Sequence, residues 1–143
     1  MRFEAYPSEI AALPALSDGE RLDYFLMRAF ETEEFWALKQ GTEWFTRPLT
    51  EEINGFAAGQ LILPAWCYRH YAMDAALDIW TDCRPASVSL EYFIEEEIPR
   101  LIEQDIVLDI MPRNDQPGCM ITAHRLSSIF EGIMDAGEYR LEG

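Results

Sequence analysis

Apolar residues first recur at helical spacing just behind Ser17, where Leu22, Phe25, Leu26, Ala29 and Phe30 form one stripe. Ser17-Asp18-Gly19-Glu20 has the form of a capping box, in which a serine and a glutamate three residues on satisfy each other's free backbone donors. The pattern then changes. Phe35-Trp36-Ala37-Leu38 and Trp44-Phe45-Thr46 are short aromatic runs separated by the turn-like Gln40-Gly41-Thr42, which predicts a β-hairpin. Pro48 to Gly59 contains Asn54-Gly55 and reads as a loop, and Gly59-Gln60-Leu61-Ile62-Leu63 reads as a third strand ended by Pro64. These three strands are expected to form a small antiparallel meander.

Beyond Pro64, Tyr68, Tyr71, Ala72, Ala75 and Ala76 predict a helix over 66–77, and 78–85 reads as a connection carrying Trp80 and Cys83. Ser89 can cap a third helix with Leu90, Phe93, Ile94, Leu101 and Ile102 inward, which Pro99 should end or kink. Asp105 to Met111 predicts a strand, and Asn114-Asp115-Gln116-Pro117-Gly118 a turn. Cys119 to Thr122 then pairs back, and a last helix spans 123–136 with Leu126, Ile129, Phe130 and Ile133 inward. Residues 1–16, with two prolines and little periodicity, read as an N-terminal arm before a single domain over 17–143. Strands grouped in hairpins give an α+β fold, a small antiparallel sheet with about four helices packed on it.

The ordered series of motifs resembles an uncharacterised bacterial family, domain of unknown function 2750. Glu20-Arg21-Leu22-Asp23-Tyr24-Phe25-Leu26 matches its opening helix, and Phe35-Trp36-Ala37-Leu38 with Glu43-Trp44 matches its tryptophan hairpin. Leu63-Pro64-Ala65-Trp66 followed by Tyr68, Tyr71 and Ala72 matches its strand-to-helix signature, with Trp80 beyond. Val88 to Phe93, Ile98-Pro99-Arg100-Leu101 and the strand from Val107 to Pro112 follow its later half. The segment 48–58 is longer than the family pattern, and Cys67-Tyr68-Arg69-His70 departs from it. The resemblance implies a fold and brings no activity.

Composition narrows the function classes. The 143 residues are 49% hydrophobic, enough for a real core. Asp and Glu number 26 against 11 Lys and Arg, for a net charge of −15, and Lys39 is the only lysine. Such a surface repels nucleic-acid phosphate and anionic lipid and suits a basic protein partner. The expectation is no nucleic acid and no membrane, with the chain a monomer or homodimer. Three widely spaced cysteines suit a reducing compartment, the first residues lack a signal-peptide core, and no uncharged run is long enough to span a bilayer, so the expected location is cytoplasmic.

Candidate chemistry is sparse. Cys67 and His70 share a helical spacing that could join a thiol to a base, and with Asp74 they could hold a metal; ordinary helix surface explains both. The glycines are scattered and form no phosphate loop. No catalytic residue, metal or cofactor is assigned. Glu95-Glu96-Glu97 reads as a solvated helix face or an acidic docking patch. The candidate ligand- or partner-binding residues are Trp66, Tyr68, His70, Tyr71 and Trp80, because an aromatic strand-to-helix junction often opens a cleft. The sequence therefore suggests a non-enzymatic interaction or accessory module of the immunity type, with a small-molecule-binding or enzymatic domain as the alternative.

Overall fold

The computed structural model describes residues 5–78, 80–112 and 118–137. It is α+β, with two small sheets instead of one meander. The first has strand order β2-β1-β5, from β1 (Glu34–Gln40), β2 (Glu43–Trp44) and β5 (Arg84–Ser89). The second has order β3-β4-β6-β7, from β3 (Arg47–Pro48), β4 (Leu61–Ala65), β6 (Val107–Ile110) and β7 (Cys119–Thr122). A pair of backbone hydrogen bonds between Trp36 and Trp66, at 3.0 and 2.8 Å, joins the two.

The β1–β2 hairpin forms as its turn residues require, with Gly41 at a φ of 67°. The expected third strand does not join it. β4 leaves for the second sheet and runs parallel to β6, whose register places Pro64 opposite Asp109. Pro64 lies within β4 and does not end it. The Gln60 carbonyl accepts from the Leu49 N–H just past β3 and the backbone of Trp66 faces β1, whereas the Ala65 carbonyl faces β6 and accepts from the Met111 N–H. By alternation Pro64 faces the gap between the end of β3 and the Trp36 bridge, so its missing N–H leaves no ladder partner unsatisfied.

β5 corrects the reading of 78–85 as connection alone, because pairing with β1 runs from Glu34 opposite Ser89 to Lys39 opposite Arg84. Its weak pattern and Pro85 suit an edge strand that takes its order from β1. The turn expected over 114–117 lies outside the described residues. Within 5–16, part of the stretch read as an arm with little periodicity, the chain forms α1 (Pro7–Ala12) and a 3-10 turn at Leu13–Ala15, with Pro7 in the first turn, where a missing N–H costs nothing.

α2 (Asp18–Thr32) begins with the capping box, both of whose bonds form. α3 (Arg69–Asp78) starts three residues later than the spacing predicts, since Trp66 is held in the bridge to Trp36. Ser89 caps α4 (Leu90–Tyr92), which passes through a π turn at Phe93–Glu97 into α5 (Ile98–Glu103). Pro99 therefore neither ends nor breaks the helix. The Ile98 N–H reaches back five residues to Phe93, and the turn absorbs the donor that proline lacks. The added residue sets Ile98 on the buried face with Phe93, both fully buried; Ile102, expected inward, is exposed beside buried Leu101. α6 (Ala123–Asp135) is capped by Thr122 and buries Leu126 and Phe130.

The core lies between the helices and both sheets. Phe93 stacks on Phe35 at 3.8 Å and meets Phe130 edge-on at 6.4 Å, which ties the π turn to β1 and α6. A minor cluster of Leu49, Ile62 and Val107 fills the outer face of the second sheet.

Candidate functional site

The junction after β4 sits at the carboxyl end of the parallel pair β4–β6, the edge at which open α/β sheets generally bind ligands. Fold geometry divides its aromatic residues into two groups. Trp66, 2% exposed, packs its ring 6.0 Å from that of half-buried Trp80. Trp80 also meets Phe45 at 5.5 Å and lies under the Arg47 guanidinium at 6.0 Å. Tyr68 and Tyr71 turn instead toward Tyr24 of α2, with ring centroids 6.2 to 6.5 Å apart among the three. His70 is half-buried, rests edge-on against Tyr71 at 5.8 Å and pairs with Asp74 at 3.2 Å.

The tyrosine group is a directed hydrogen-bond relay. The Tyr24 hydroxyl lies 2.6 Å from Oε2 of Glu9 and 2.8 Å from the Tyr71 hydroxyl. A carboxylate cannot donate, so Tyr24 gives its one proton to Glu9 and accepts from Tyr71. Burial, with the neighbouring Cys67 thiol and the bond to Glu9, pushes the Tyr24 phenol far up, so it stays a donor. Arg28 completes the cluster, 3.8 Å from Glu9 and 5.9 Å above the Tyr24 ring.

Beside this relay Arg21 is 0% exposed, an unusual place for an arginine. Its guanidinium donates to the carbonyls of Met111 at 3.1 Å, Leu13 at 2.7 Å and Leu16 at 3.4 Å. Met111 itself has a φ of 55°, the left-handed region that a side chain rarely adopts. Asp109, also fully buried, accepts from the Gly118 N–H at 2.7 Å and meets Arg47 at 3.5 Å. Burial pushes the Asp109 carboxyl up to about 6, against the pull of Gly118, Arg47 and Arg21.

The thiol–base and metal spacings are not realised as sites. Cys67 is fully buried with its thiol 3.8 Å from the Met111 sulfur, whereas His70 is engaged with Asp74 and Tyr71. Burial pushes the thiols of Cys83 and Cys119 up, which disfavours the thiolate. No three His, Cys, Asp or Glu side chains come together as a metal cluster among the described residues. His124 is exposed in the first turn of α6. No helix among the described residues is long and apolar enough to cross a membrane.

A second surface surrounds the π turn. Ser89, Glu91, Tyr92, Glu95 and Glu96 line one open depression, in which Tyr92 is 48% exposed. No arginine or lysine is paired with Glu91, Glu95 or Glu96 among the described residues. Glu97, the third member of the acidic run, is instead tied to Arg100.

The spacing of Trp66, Tyr68, His70, Tyr71 and Trp80 did not reveal Glu9, Arg21, Tyr24, Arg28 or Tyr92. Arg21 left a trace, because it stands four residues before Phe25 and eight before Ala29 on the buried stripe of α2. Glu9 left none, because its partners lie on other elements.

A family model described as "Protein of unknown function (DUF2750)" matches residues 22–129, most of the chain. No curated protein and no solved structure matches it.

Proposed function

The chain belongs to the DUF2750 family, whose description carries no activity, and we propose that it is a non-enzymatic interaction module of the accessory or immunity type that docks a basic protein in the cytoplasm. The observation that carries this reading is the exposed Tyr92 ring set among Glu91, Glu95 and Glu96. An arginine or lysine from a partner would gain the ring face and unpaired carboxylates together, an arrangement common at interfaces. The net charge of −15 would steer a basic surface toward the protein and repel an acidic one. The π turn supports the geometry, because its extra residue lets Glu95 and Glu96 face outward while Phe93 and Ile98 stay in the core.

Bulk charge and local docking can be separated. An arginine-rich peptide is titrated into the wild type, into Glu91→Gln/Glu95→Gln/Glu96→Gln, and into the control Glu51→Gln/Glu52→Gln/Glu131→Gln. Both variants have the same net charge. Loss of three local pairs should weaken the peptide by about tenfold in the first variant and by less than about twofold in the control. Equal losses in both would reduce the reading to non-specific charge attraction and refute it.

The alternative reading, a small-molecule-binding or enzymatic domain at the Trp66–Tyr71 junction, is favoured by one observation. That junction lies at the carboxyl end of the parallel strands, with a polar relay beside it. Thermal-shift screening of a metabolite and metal library against wild type and Tyr71→Phe tests it. A response common to both proteins counts against the junction.

A further inference from the structure

We propose that the cluster of Tyr24, Tyr71 and Arg28 beneath α1 is a carboxylate-binding site that the chain occupies itself, with Glu9 as the internal occupant that an external carboxylate displaces.

Three observations converge on it. The first is the chemistry already holding Glu9. One phenol donates to the carboxylate at 2.6 Å, a second phenol orders the first at 2.8 Å, and a guanidinium stands 3.8 Å away. A hydroxyl donor with a guanidinium charge beside it suits a carboxylate, although Arg28 also donates to Glu31 at 2.9 Å. The strongly raised phenol of Tyr24 keeps the donor protonated whichever carboxylate is present.

The second is the way α1 is attached. The helix has six residues and none is buried, so neither its length nor a core of its own holds it. Ile10 and Leu13 pack only partly against the core. Its polar anchors include the Glu9 bonds and, just past the helix, the Arg21 bonds to the Leu13 and Leu16 carbonyls. Such a segment belongs to the low-stability end of a fold, where displacement is least costly.

The third is position. Glu9 of α1 is linked through Tyr24 to Tyr71 on α3, the helix that follows β4, and Arg21 ties Leu13, just past α1, to Met111, the residue after β6. Lifting it would also release the Arg21 Nη2 donor from Leu13 and Leu16, which brings a second guanidinium to an incoming anion. The local arginines thus supply the attraction that a protein of net charge −15 otherwise lacks for acids. The Tyr92 surface is independent of this site, whereas the junction reading gains a ligand class from it.

A carboxylate could come from a small acid or from the free end of a peptide, and the test distinguishes them. Glutarate, a short peptide with a free C-terminus, and the amides of both are titrated into wild type, Glu9→Gln and Arg28→Gln. Binding is read by thermal shift, and release of α1 by hydrogen exchange over residues 7–16. Glu9→Gln weakens the internal occupant, so exchange over 7–16 should rise. One of the two carboxylates should then bind about tenfold more tightly than to wild type. Arg28→Gln should also loosen α1 yet lose the carboxylate, which a purely structural clasp would not do. The better of the two probes identifies the source.

Three results overturn the proposal. They are an α1 that stays protected in Glu9→Gln, a loosened α1 with no gain for either carboxylate, and amides that bind as well as acids. The last leaves the junction reading intact while removing carboxylate as its ligand class.

Discussion

Asp109→Asn should change the pH dependence of folding in a direction opposite to that of ordinary surface carboxylates. Asp109 is fully buried on β6, and its folded value of about 6 lies above the ordinary 3.8. Between those values the folded state holds a proton that the unfolded chain has lost, so stability falls as pH rises through the window. The extra stability is complete below the unfolded value and gone once pH passes the folded one. Worked from 3.8 and about 6, Asp109 adds about 1.4 kcal/mol at about pH 5 relative to about pH 8.

Asparagine keeps an oxygen for the Gly118 N–H but cannot titrate. Urea unfolding of both proteins at the two pH values measures the effect. The stability gap between them should shift by about 1.4 kcal/mol in favour of the variant on going from about pH 5 to about pH 8. Every other carboxylate is shared, Glu20 with its lowered value included, and cancels in that comparison. A gap that stays constant across pH would refute the assignment, because it would mean that burial of Asp109 exerts no net pull on its proton.

Two further substitutions probe the frame. Ser17→Ala removes the acceptor for the Glu20 N–H and half of the capping box, and should cost about 1 kcal/mol in thermal or chemical unfolding. Gly118→Ala should cost about 1–3 kcal/mol by the same measurement, since a Cβ there runs into the Ile110 carbonyl and the Met111 backbone. A Gly118→Ala protein as stable as the wild type would show that the backbone at Gly118 yields easily.

Local signals were legible wherever the partners lie within a few residues. The Ser17–Glu20 box, the Ser89 cap and the Gly41 turn all form where their spacing places them. The inward residues Phe25, Phe30, Tyr71, Ala72, Leu126 and Phe130 likewise follow helical period. Errors began where one element's state depends on another. Pro64 reads as a strand end until the gap between β3 and the Trp36 bridge is known, and 78–85 reads as connection alone until β1 lies beside 84–89. Ile102 reads as inward, yet its neighbour Leu101 takes the core position and leaves it exposed.

By itself the sequence determined an acidic α+β chain, its principal helices and their caps, and the family to which it belongs. Those properties rest on charge, on period and on hydrogen bonds closed within four residues. Tertiary structure alone decided that the strands divide into two sheets, that β4 pairs in parallel with β6, and that Trp66 is core while Tyr71 joins a relay with Tyr24 and Glu9. Nothing in a one-dimensional pattern encodes a bond between residues 15 or 47 positions apart, as in Glu9–Tyr24 and Tyr24–Tyr71. Packing sets those distances, and with them the two surfaces from which function is read.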